Sequence, residues 1–322
     1  MSDPSYNIFN YNYRPAKSIE RKIIVELLKE IYGVINSQHC TYIGLGSIFF
    51  SDFRLIHREL GIQEMINIEE NESDEKRFKF NKPFTNIKLK WGLTTDVLPS
   101  LDWKGKKIIW LDYDYSLQPY MFEDLEIIFS NIESGGFYLF SCNSALSKYF
   151  DQKEQEYKVE KFVESFQDNT PFDLKPSDLS RKNSPKLIRS MIVEKIKEIL
   201  TDRNASKDED EKLSFYQLLN ISYQDGAPMF SIGGFISNKK DINLLEYGSL
   251  KELPYIKLDK EILNIEYPVI TAKETDLLNS FLPREKKKFL KLKTIDFIPE
   301  DDRSQFQRIY RYYPSFVEIR DN

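Results

Sequence analysis

The 322-residue chain is poor in histidine and cysteine, and this limits the kinds of site that it can build. It has two histidines, His39 and His57, so a multi-histidine zinc centre cannot form and a catalytic triad would have to use one of these two. His57 lies in the helical pattern "FRLIHREL", where a packing or surface role is expected. The two cysteines, Cys40 and Cys142, lie in apolar strand-like runs and are expected to be buried, reduced thiols. Hydrolytic functions are therefore disfavoured.

The chain also lacks long apolar runs, a signal peptide and an excess of basic residues. No apolar run approaches the ~20 residues that a membrane span needs, and "MSDPSYNIFN" is not a signal-peptide start, so we expect a cytoplasmic protein with no membrane contact. The net charge of −5 argues against a nucleic-acid binder that uses one broad basic face. The basic run "REKKKFLKLK" at 284–293 is expected to be a solvated face; a local patch that binds nucleic-acid phosphates or a protein partner stays open.

The residues that are present predict an α/β fold. Apolar residues make up 41% of the chain and charged residues 30%, which is typical of globular proteins. Helical patterns at 17–35, 51–61 and 121–136 alternate with five apolar runs, "TYIGLGS", "EMINIEE", "NIKLKWG", "KKIIWLDYD" and "FYLFSCN". Strands that are apolar nearly throughout and alternate with helices indicate a parallel sheet buried on both faces. We therefore predict a doubly wound α/β fold with a mainly parallel sheet.

Changes of sequence character divide the chain into four regions. The predicted core covers 1–144. Residues 145–212 are charged, contain the amphipathic pattern "PKLIRSMIVEKIKEIL", and are predicted to be a helical insertion. Residues 213–240 are predicted to be an antiparallel hairpin that completes the sheet, because two strand patterns flank the turn sequence "DGAP". Residues 241–322 are predicted to be a C-terminal α+β extension.

Glycine and polar residues cluster where the predicted strands end. Ligands of doubly wound sheets bind outside the carboxyl ends of the strands, so these residues form the candidate ligand site. They are Gly44, Gly46 and Ser47 after the first strand, Glu69 and Glu70 after the second, Asp96 beyond the third, and Asp112 and Asp114 at the end of the fourth. Their concentration at one edge predicts a binding site there.

The spacing from Gly46 to Glu69 suits a carboxylate that binds the hydroxyl groups of a ribose lying over the glycine turn, and Glu70 stays open as an alternative. An NAD-type ligand would place its pyrophosphate on the following helix and requires a third glycine, where this chain has Phe49. S-adenosylmethionine contains no phosphate, so its loop needs only room near the backbone. A plain strand-to-helix turn is the alternative interpretation of "GLGS".

The order of these features resembles the class I S-adenosylmethionine-dependent methyltransferase fold, a Rossmann-like fold whose sheet ends in an antiparallel strand pair. The runs "YIGLGSIFFSDFRLIHRELGI", "RFKFNKPF", "WLDYD" and "YRYYPSF" further resemble a bacterial family of O-methyltransferases, although the first loop departs from the fuller glycine-rich pattern. The resemblance implies that Gly44, Gly46 and Ser47 line the methionine and ribose region, that Glu69 binds the ribose, that Asp96 lies near the adenine amino group, and that Asp112 lies near the transferred methyl group.

Methyl transfer to a hydroxyl group requires alignment of the acceptor and help in removing its proton. Asp112 or Asp114 could serve as the base. The pair could instead hold Mg²⁺, which carboxylates bind well, although two aspartates do not complete a metal site. A helix cap plus a solvated acid is the alternative interpretation of "DYD".

Two segments near the ends of the chain carry further cations and aromatic side chains. The segment "YRPAKSIER" begins at Tyr13, two residues after Tyr11, and is expected to be a solvated helix start. The alternative is a lid that supplies Arg14, Lys17 and Arg21 to an anionic substrate. "YRYYPSF" is expected to pack in the core or at an interface, and stacking on nucleic-acid bases is its alternative.

The sequence therefore predicts an S-adenosylmethionine-dependent methyltransferase that acts on an oxygen atom of an unidentified acceptor. The alternative from another class is a non-catalytic methyltransferase-like subunit that binds the cofactor or a nucleotide as a sensor or scaffold. Such a subunit would act with a protein partner or as a homo-oligomer. A dehydrogenase that binds NAD is the third hypothesis.

Overall fold

The computed structural model describes residues 14–35, 40–246, 250 and 253–314. Tyr11, Tyr13, His39, Ser315 and Phe316 of the segments discussed above lie outside the described residues. The strands are β1 (Cys40–Gly44), β2 (Glu64–Glu69), β3 (Ile87–Trp91), β4 (Lys106–Ser116), β5 (Gly136–Asn143), β6 (Phe150–Asp151), β7 (Glu156–Tyr157), β8 (Ser214–Asp225), β9 (Ala227–Ser237) and β10 (Leu263–Ile265). The α-helices are α1 (Pro15–Ile35), α2 (Ser51–Leu60), α3 (Glu75–Asn81), α4 (Thr94–Val97), α5 (Tyr120–Asn131), α6 (Val159–Phe166), α7 (Ser184–Asn204), α8 (Lys239–Glu246), α9 (Ala272–Asn279), α10 (Lys286–Leu290) and α11 (Glu300–Ile309).

Eight of these strands form one sheet in the order β10-β8-β9-β5-β4-β1-β2-β3. The pairs among β1 to β5 are all parallel, and β10 is parallel to β8. β9 pairs antiparallel with both β5 and β8, so within the described sheet it is the strand that runs in the reverse direction. This arrangement confirms the predicted doubly wound sheet with an antiparallel hairpin.

The two faces of the sheet are covered by different helices. On one face, α1 and α2 pack against strand residues such as Tyr42 and Trp110. On the other face, α5 packs against residues such as Ile109. α7 contributes Ile188 and Ile192 to this second cluster, so the region predicted as an insertion is part of the cover of the sheet. Both faces are therefore covered over the central strands, which explains why those strands are apolar nearly throughout. The edge strand β3 exposes Lys88 and Lys90.

Two elements have no clear sequence signal. α3 forms from "EKRFKFN", in which Phe78 is the buried residue, so it shows no apolar stripe. β10 has three residues and adds to the edge of the sheet beside β8. Both elements are held by their neighbours more than by their own sequence pattern. Among the helices in the described ranges, none is long and apolar enough to cross a membrane.

The last helices form a small apolar cluster of their own. Its buried residues are Leu278, Phe289, Ile295, Ile298 and Phe306. Tyr312 and Arg311 join this unit to α1, because both side chains bond to the carboxylate of Glu26. Tyr312 is buried, which confirms a packing role for the described part of "YRYYPSF". The cations of the basic run at 284–293 are exposed, as expected for a solvated face.

The start of α1 is capped by a residue from the hairpin turn. The backbone N–H groups of Ala16 and Lys17 donate to the two carboxylate oxygens of Asp225, at 3.1 and 2.8 Å. Pro15 has no N–H group, so its place as the first helical residue leaves no donor unsatisfied there. Asp225 thus does for this helix what a local N-cap side chain usually does, and it fixes the first turn of α1 against the end of β8.

We expect Asp225→Ala to lower the free energy of unfolding by about 1–2 kcal/mol, because two helix N–H groups lose their acceptor. Urea denaturation measures the change. Asp225→Asn is the matched control, since its amide oxygen still accepts one of the two bonds, and its loss should be smaller. Equal stability of Asp225→Ala and the unmodified protein would contradict the cap.

Candidate active site

The carboxyl ends of the central strands bring the predicted site residues to one edge. The strand order reverses between β1 and β4, and the crevice of a doubly wound sheet lies at such a point. Gly44 on β1 pairs with Trp110, two residues before Asp112 on β4. Glu69 ends the neighbouring strand β2. The glycine loop and two of the predicted carboxylates are therefore neighbours in space.

Packing within the first loop requires both of its glycines. The N–H group of Gly46 donates to Asn67 Oδ1 at 2.6 Å, and a Cβ atom on Gly46 would lie 2.6 Å from both that oxygen and the Phe53 ring. A Cβ atom on Gly44 would lie 2.8 Å from the hydroxyl of Tyr42. Either glycine therefore has a structural reason to be present, whether or not a ligand lies over it.

The turn into α2 is built from aromatic residues. Phe50 has a left-handed backbone conformation, with φ at 49°, which costs a residue with a side chain roughly 1–2 kcal/mol. Its fully buried ring offsets this cost by packing edge-on against Phe53 and Phe78, at centroid distances of 5.8 and 5.9 Å. Ser47 Oγ accepts from the N–H of Phe49 at 3.4 Å. The aromatic packing stabilises a left-handed residue in this turn, where glycine is the usual residue.

The first turn of α2 already carries a buried negative charge. Asp52 is 8% exposed and lies 2.5 Å from Arg21 Nε. Burial would raise the pKa of Asp52, but Arg21 and Lys17 outweigh burial and lower it, so the carboxylate stays ionised. A carboxylate at this place uses the favourable field of the helix N-terminus that a phosphate would otherwise use.

Glu69 and Glu70 differ in their surroundings. Glu69 is half-buried, and its Oε1 accepts from the N–H of Asn71 at 2.8 Å. Burial raises the pKa of Glu69 to about 7; the Asn71 bond opposes this rise, and the nearby negative charges of Glu70 and Asp114 add to it. Glu70 is exposed. Glu69 also faces the same side of the sheet as Asn67, because side chains alternate along a strand.

The predicted aspartates are placed in three different environments. Asp96 is exposed on α4, and Asp114 is exposed near the end of β4. Asp112 has a side chain that is 14% exposed, and its Oδ2 lies 2.8 Å from Lys17 Nζ. Its Oδ1 is buried and has no hydrogen-bond partner among the described residues. Of the three, Asp112 is the one held in the interior.

Lys17 and Arg21 are buried, so the expectation of a solvated helix start was wrong for them. Lys17 is 0% exposed; its Nζ lies 2.8 Å from Glu20 Oε2 as well as from Asp112, and 4.8 Å from the centre of the Trp110 ring. Burial would lower the pKa of Lys17, but the charges of Asp112 and Glu20 raise it above its ordinary value. Lys17 is therefore an ammonium cation inside the protein.

The ion pair continues into a buried hydrogen-bond chain. Ser231 on β9 donates to Glu20, the hydroxyls of Ser231 and Ser141 are 2.7 Å apart, and Trp110 Nε1 donates to Ser141 at 3.1 Å. The chain joins α1 to β9, β5 and β4. Sequence patterns predicted none of these contacts.

Asp124 is a further buried acid that sequence reasoning missed. Its Oδ2 accepts from Thr94 at 2.6 Å and from the Tyr113 hydroxyl at 2.7 Å. Burial raises the pKa of Asp124 to about 6, against the effect of these two bonds. The sequence does contain a signal for the burial of Asp124, because this residue falls on the apolar stripe of its helix between Met121 and Leu125. It links α5 to the residues that follow β3 and to β4.

The minor candidates have ordinary roles. His57 Nδ1 lies 2.8 Å from the carbonyl oxygen of Ile62, and its ring packs on Phe84, which confirms a packing role. Cys40 and Cys142 are free and buried, as predicted. Among the described residues, no three histidine, cysteine or acidic side chains come together in a way that could hold a metal ion.

The sheet order, the reversed β9 and the polar strand ends define the class I methyltransferase fold. The model of the family described as "Putative O-methyltransferase" matches residues 9–321, and the chain belongs to this family. Family membership confirms the predicted resemblance and the prediction of a methyltransferase. No curated protein sequence matches the chain significantly.

Solved structures with a similar fold include three enzymes of low sequence identity. Trm1 from Pyrococcus horikoshii, solved with S-adenosyl-L-methionine, is 13% identical; the match covers 73% of this chain and 59% of Trm1, with a TM-score of 0.47. The O-methyltransferase TomG from Streptomyces achromogenes, also solved with this cofactor, is 13% identical over 66% of this chain and 78% of TomG, with a TM-score of 0.37. Spermidine synthase from Thermotoga maritima is 9% identical over 75% of this chain and 68% of its own, with a TM-score of 0.40.

The raised pKa of Glu69 predicts a pH-dependent stability in the absence of ligand. The folded protein holds this proton up to about pH 7, whereas the ordinary pKa of glutamic acid is 4.5, so stability should fall as the pH rises through this interval. At about pH 8, we expect the free energy of unfolding of Glu69→Gln to be higher than that of the unmodified protein by roughly 1–3 kcal/mol. The difference should vanish near pH 4.

Urea denaturation over a pH series measures this difference, with Glu70→Gln as the exposed control. A difference between Glu69→Gln and the unmodified protein that is the same at every pH would show that the proton on Glu69 is not its cause.

Proposed function

We propose that the protein binds S-adenosylmethionine at the carboxyl ends of β1, β2 and β4 and transfers its methyl group to an oxygen atom of an acceptor. Family membership supports this reaction type. The observation that carries the choice of cofactor is the buried carboxylate of Asp52 in the first turn of α2. Because Asp52 already uses the field of this helix N-terminus, a pyrophosphate gains less there, whereas a nucleoside without phosphate does not depend on that field.

The polar groups at the strand ends have the chemistry that this cofactor needs. The half-buried carboxylate of Glu69 can accept hydrogen bonds from ribose hydroxyls. Asp112 Oδ1 and Asn67 Nδ2 are buried polar atoms that lack a hydrogen-bond partner among the described residues. Of these two side chains, that of Asp112 is partly exposed and can approach a ligand at this edge. When bound, the cofactor supplies a methyl group on a positively charged sulfur.

The two aspartates of "DYD" are suited to different tasks. Asp112 Oδ2 lies 2.8 Å from Lys17 Nζ, so this oxygen already has a partner. Asp114 is exposed on the same strand, two residues closer to the strand end, and its charge reaches Glu69. We therefore assign the orienting role to Asp112 and the acceptance of the proton from the hydroxyl to Asp114. Gly44, Gly46, Ser47 and Asp96 keep their proposed places along the cofactor.

A non-catalytic cofactor-binding subunit is the second candidate. One observation favours it: Lys17 neutralises the carboxylate that lies nearest to the predicted position of the methyl group. Such a protein would bind the cofactor without turnover. The same contact is compatible with catalysis if Asp112 serves to orient and Asp114 to accept a proton.

We expect calorimetric titration to give a dissociation constant on the order of micromolar for S-adenosylmethionine and S-adenosylhomocysteine. NAD should not bind, because Asp52 and the aromatic loop leave no site for its pyrophosphate. Binding of NAD and of neither sulfur compound, by protein shown to be free of carried-over ligand, would replace this proposal with the dehydrogenase.

Glu69→Ala should weaken cofactor binding by about 1–3 kcal/mol, or roughly 5- to 150-fold in Kd, because the ribose hydroxyls lose their acceptor. Glu70→Ala is the matched control, since Glu70 is adjacent and exposed and should have little effect. A loss in Glu70→Ala with full affinity in Glu69→Ala would move the ribose role to Glu70.

A further inference from the structure

Five ionised side chains meet below the first turn of α1, beside the end of β4. Lys17 and Arg21 supply two positive charges, and Glu20, Asp52 and Asp112 supply three negative ones. Each is buried except Asp112, which is 14% exposed. We call this group the α1 charge cluster. Two cations against three carboxylates leave one negative charge in excess.

The other titratable groups around Asp112 do not cancel this excess. Burial raises the pKa of Tyr42 on β1, Cys142 on β5 and Tyr223 on β8, so all three are uncharged near neutral pH. Arg14 and Asp225 at the helix start add one charge of each sign. The excess negative charge therefore stays inside the protein, at the edge where the site lies.

Lys17 sets the orientation of the Asp112 carboxylate within the α1 charge cluster. It holds Oδ2 of Asp112 at 2.8 Å, while Oδ1 has no hydrogen-bond partner among the described residues. Lys17 itself is fully buried and cannot touch a ligand. It can act on a ligand only through the position that it gives to Asp112.

S-adenosylmethionine and its product differ in charge at one atom. The cofactor has a sulfonium cation, and S-adenosylhomocysteine has a neutral thioether in the same place. Charges act over several ångströms when they are screened poorly, as they are in a protein interior. With the sulfur placed beside Asp112, as in the proposed function, a cluster with excess negative charge would bind the cation more tightly than the neutral product.

We propose that Asp112, held by Lys17, selects S-adenosylmethionine over S-adenosylhomocysteine by charge, and that Lys17 is the positioning residue of this device. The inference rests on the proposed function, since it concerns the same site. It adds a reason for product release: transfer of the methyl group removes the positive charge that the cluster stabilises. It also gives the buried pair a role that a purely structural ion pair would not have.

The test is the ratio of the two dissociation constants, that of S-adenosylhomocysteine divided by that of S-adenosylmethionine, measured by calorimetry. Asp112→Asn removes the excess negative charge and should lower this ratio by roughly threefold to thirtyfold. Lys17→Met adds one negative charge to the excess and should raise the ratio at about pH 8.5, where the unpaired carboxylate is ionised. Lys17→Arg keeps the charge and should leave the ratio near that of the unmodified protein.

Opposite shifts in Asp112→Asn and Lys17→Met would support the proposal, because a merely structural role predicts equal weakening of both ligands. A ratio that is unchanged in Asp112→Asn, with both ligands still bound, would overturn it. If Lys17→Met fails to fold, the ratios measured for Asp112→Asn and Lys17→Arg still test the proposal. Failure of the unmodified protein to bind either compound would instead overturn the proposed function, so the two failures are distinguishable.

Discussion

The buried ion pair between Lys17 and Asp112 sets the position of α1 on the sheet. An ammonium group without access to water is stable only beside carboxylates, and Lys17 has Glu20 on its own helix and Asp112 at the end of β4. Removing one partner of such a buried pair typically costs about 3–5 kcal/mol. The same contact orients the carboxylate at the ligand edge. Helix packing and site geometry therefore depend on one interaction.

Most of the fold can be predicted from the pattern of apolar strands in the sequence. β1, β2, β4 and β5 are buried on both faces along most of their length, so their apolar character is visible in the sequence without knowledge of their neighbours. The edge strand β3 instead exposes Lys88 and Lys90. The same logic places glycine and polar residues at the carboxyl ends, since these are the parts of the strands that leave the core. The order of the strands in the sheet required the structure, because sequence order and spatial order differ here.

Burial of charged residues was not predicted from the sequence. Lys17 and Arg21 were expected to be solvated, yet they continue the spacing of the apolar stripe that includes Ile24 and Leu28. Asp124 continues the apolar stripe of its own helix in the same way. In both helices the spacing of these residues indicated burial, whereas their charge indicated exposure to water. Whether such a charged residue is buried depends on partners from distant parts of the chain, and a local sequence pattern does not show those partners.

The cap of α1 by Asp225 joins residues that are 209 positions apart. During synthesis α1 leaves the ribosome first, and the residue that completes its first turn is made when two thirds of the chain has been added. β9, which follows directly, is also the strand that pairs with β5 and so closes an open edge of the sheet. A shorter nascent chain thus has an incomplete helix start and an unpaired strand. A chain released early therefore keeps an open strand edge at β5, at which it can aggregate.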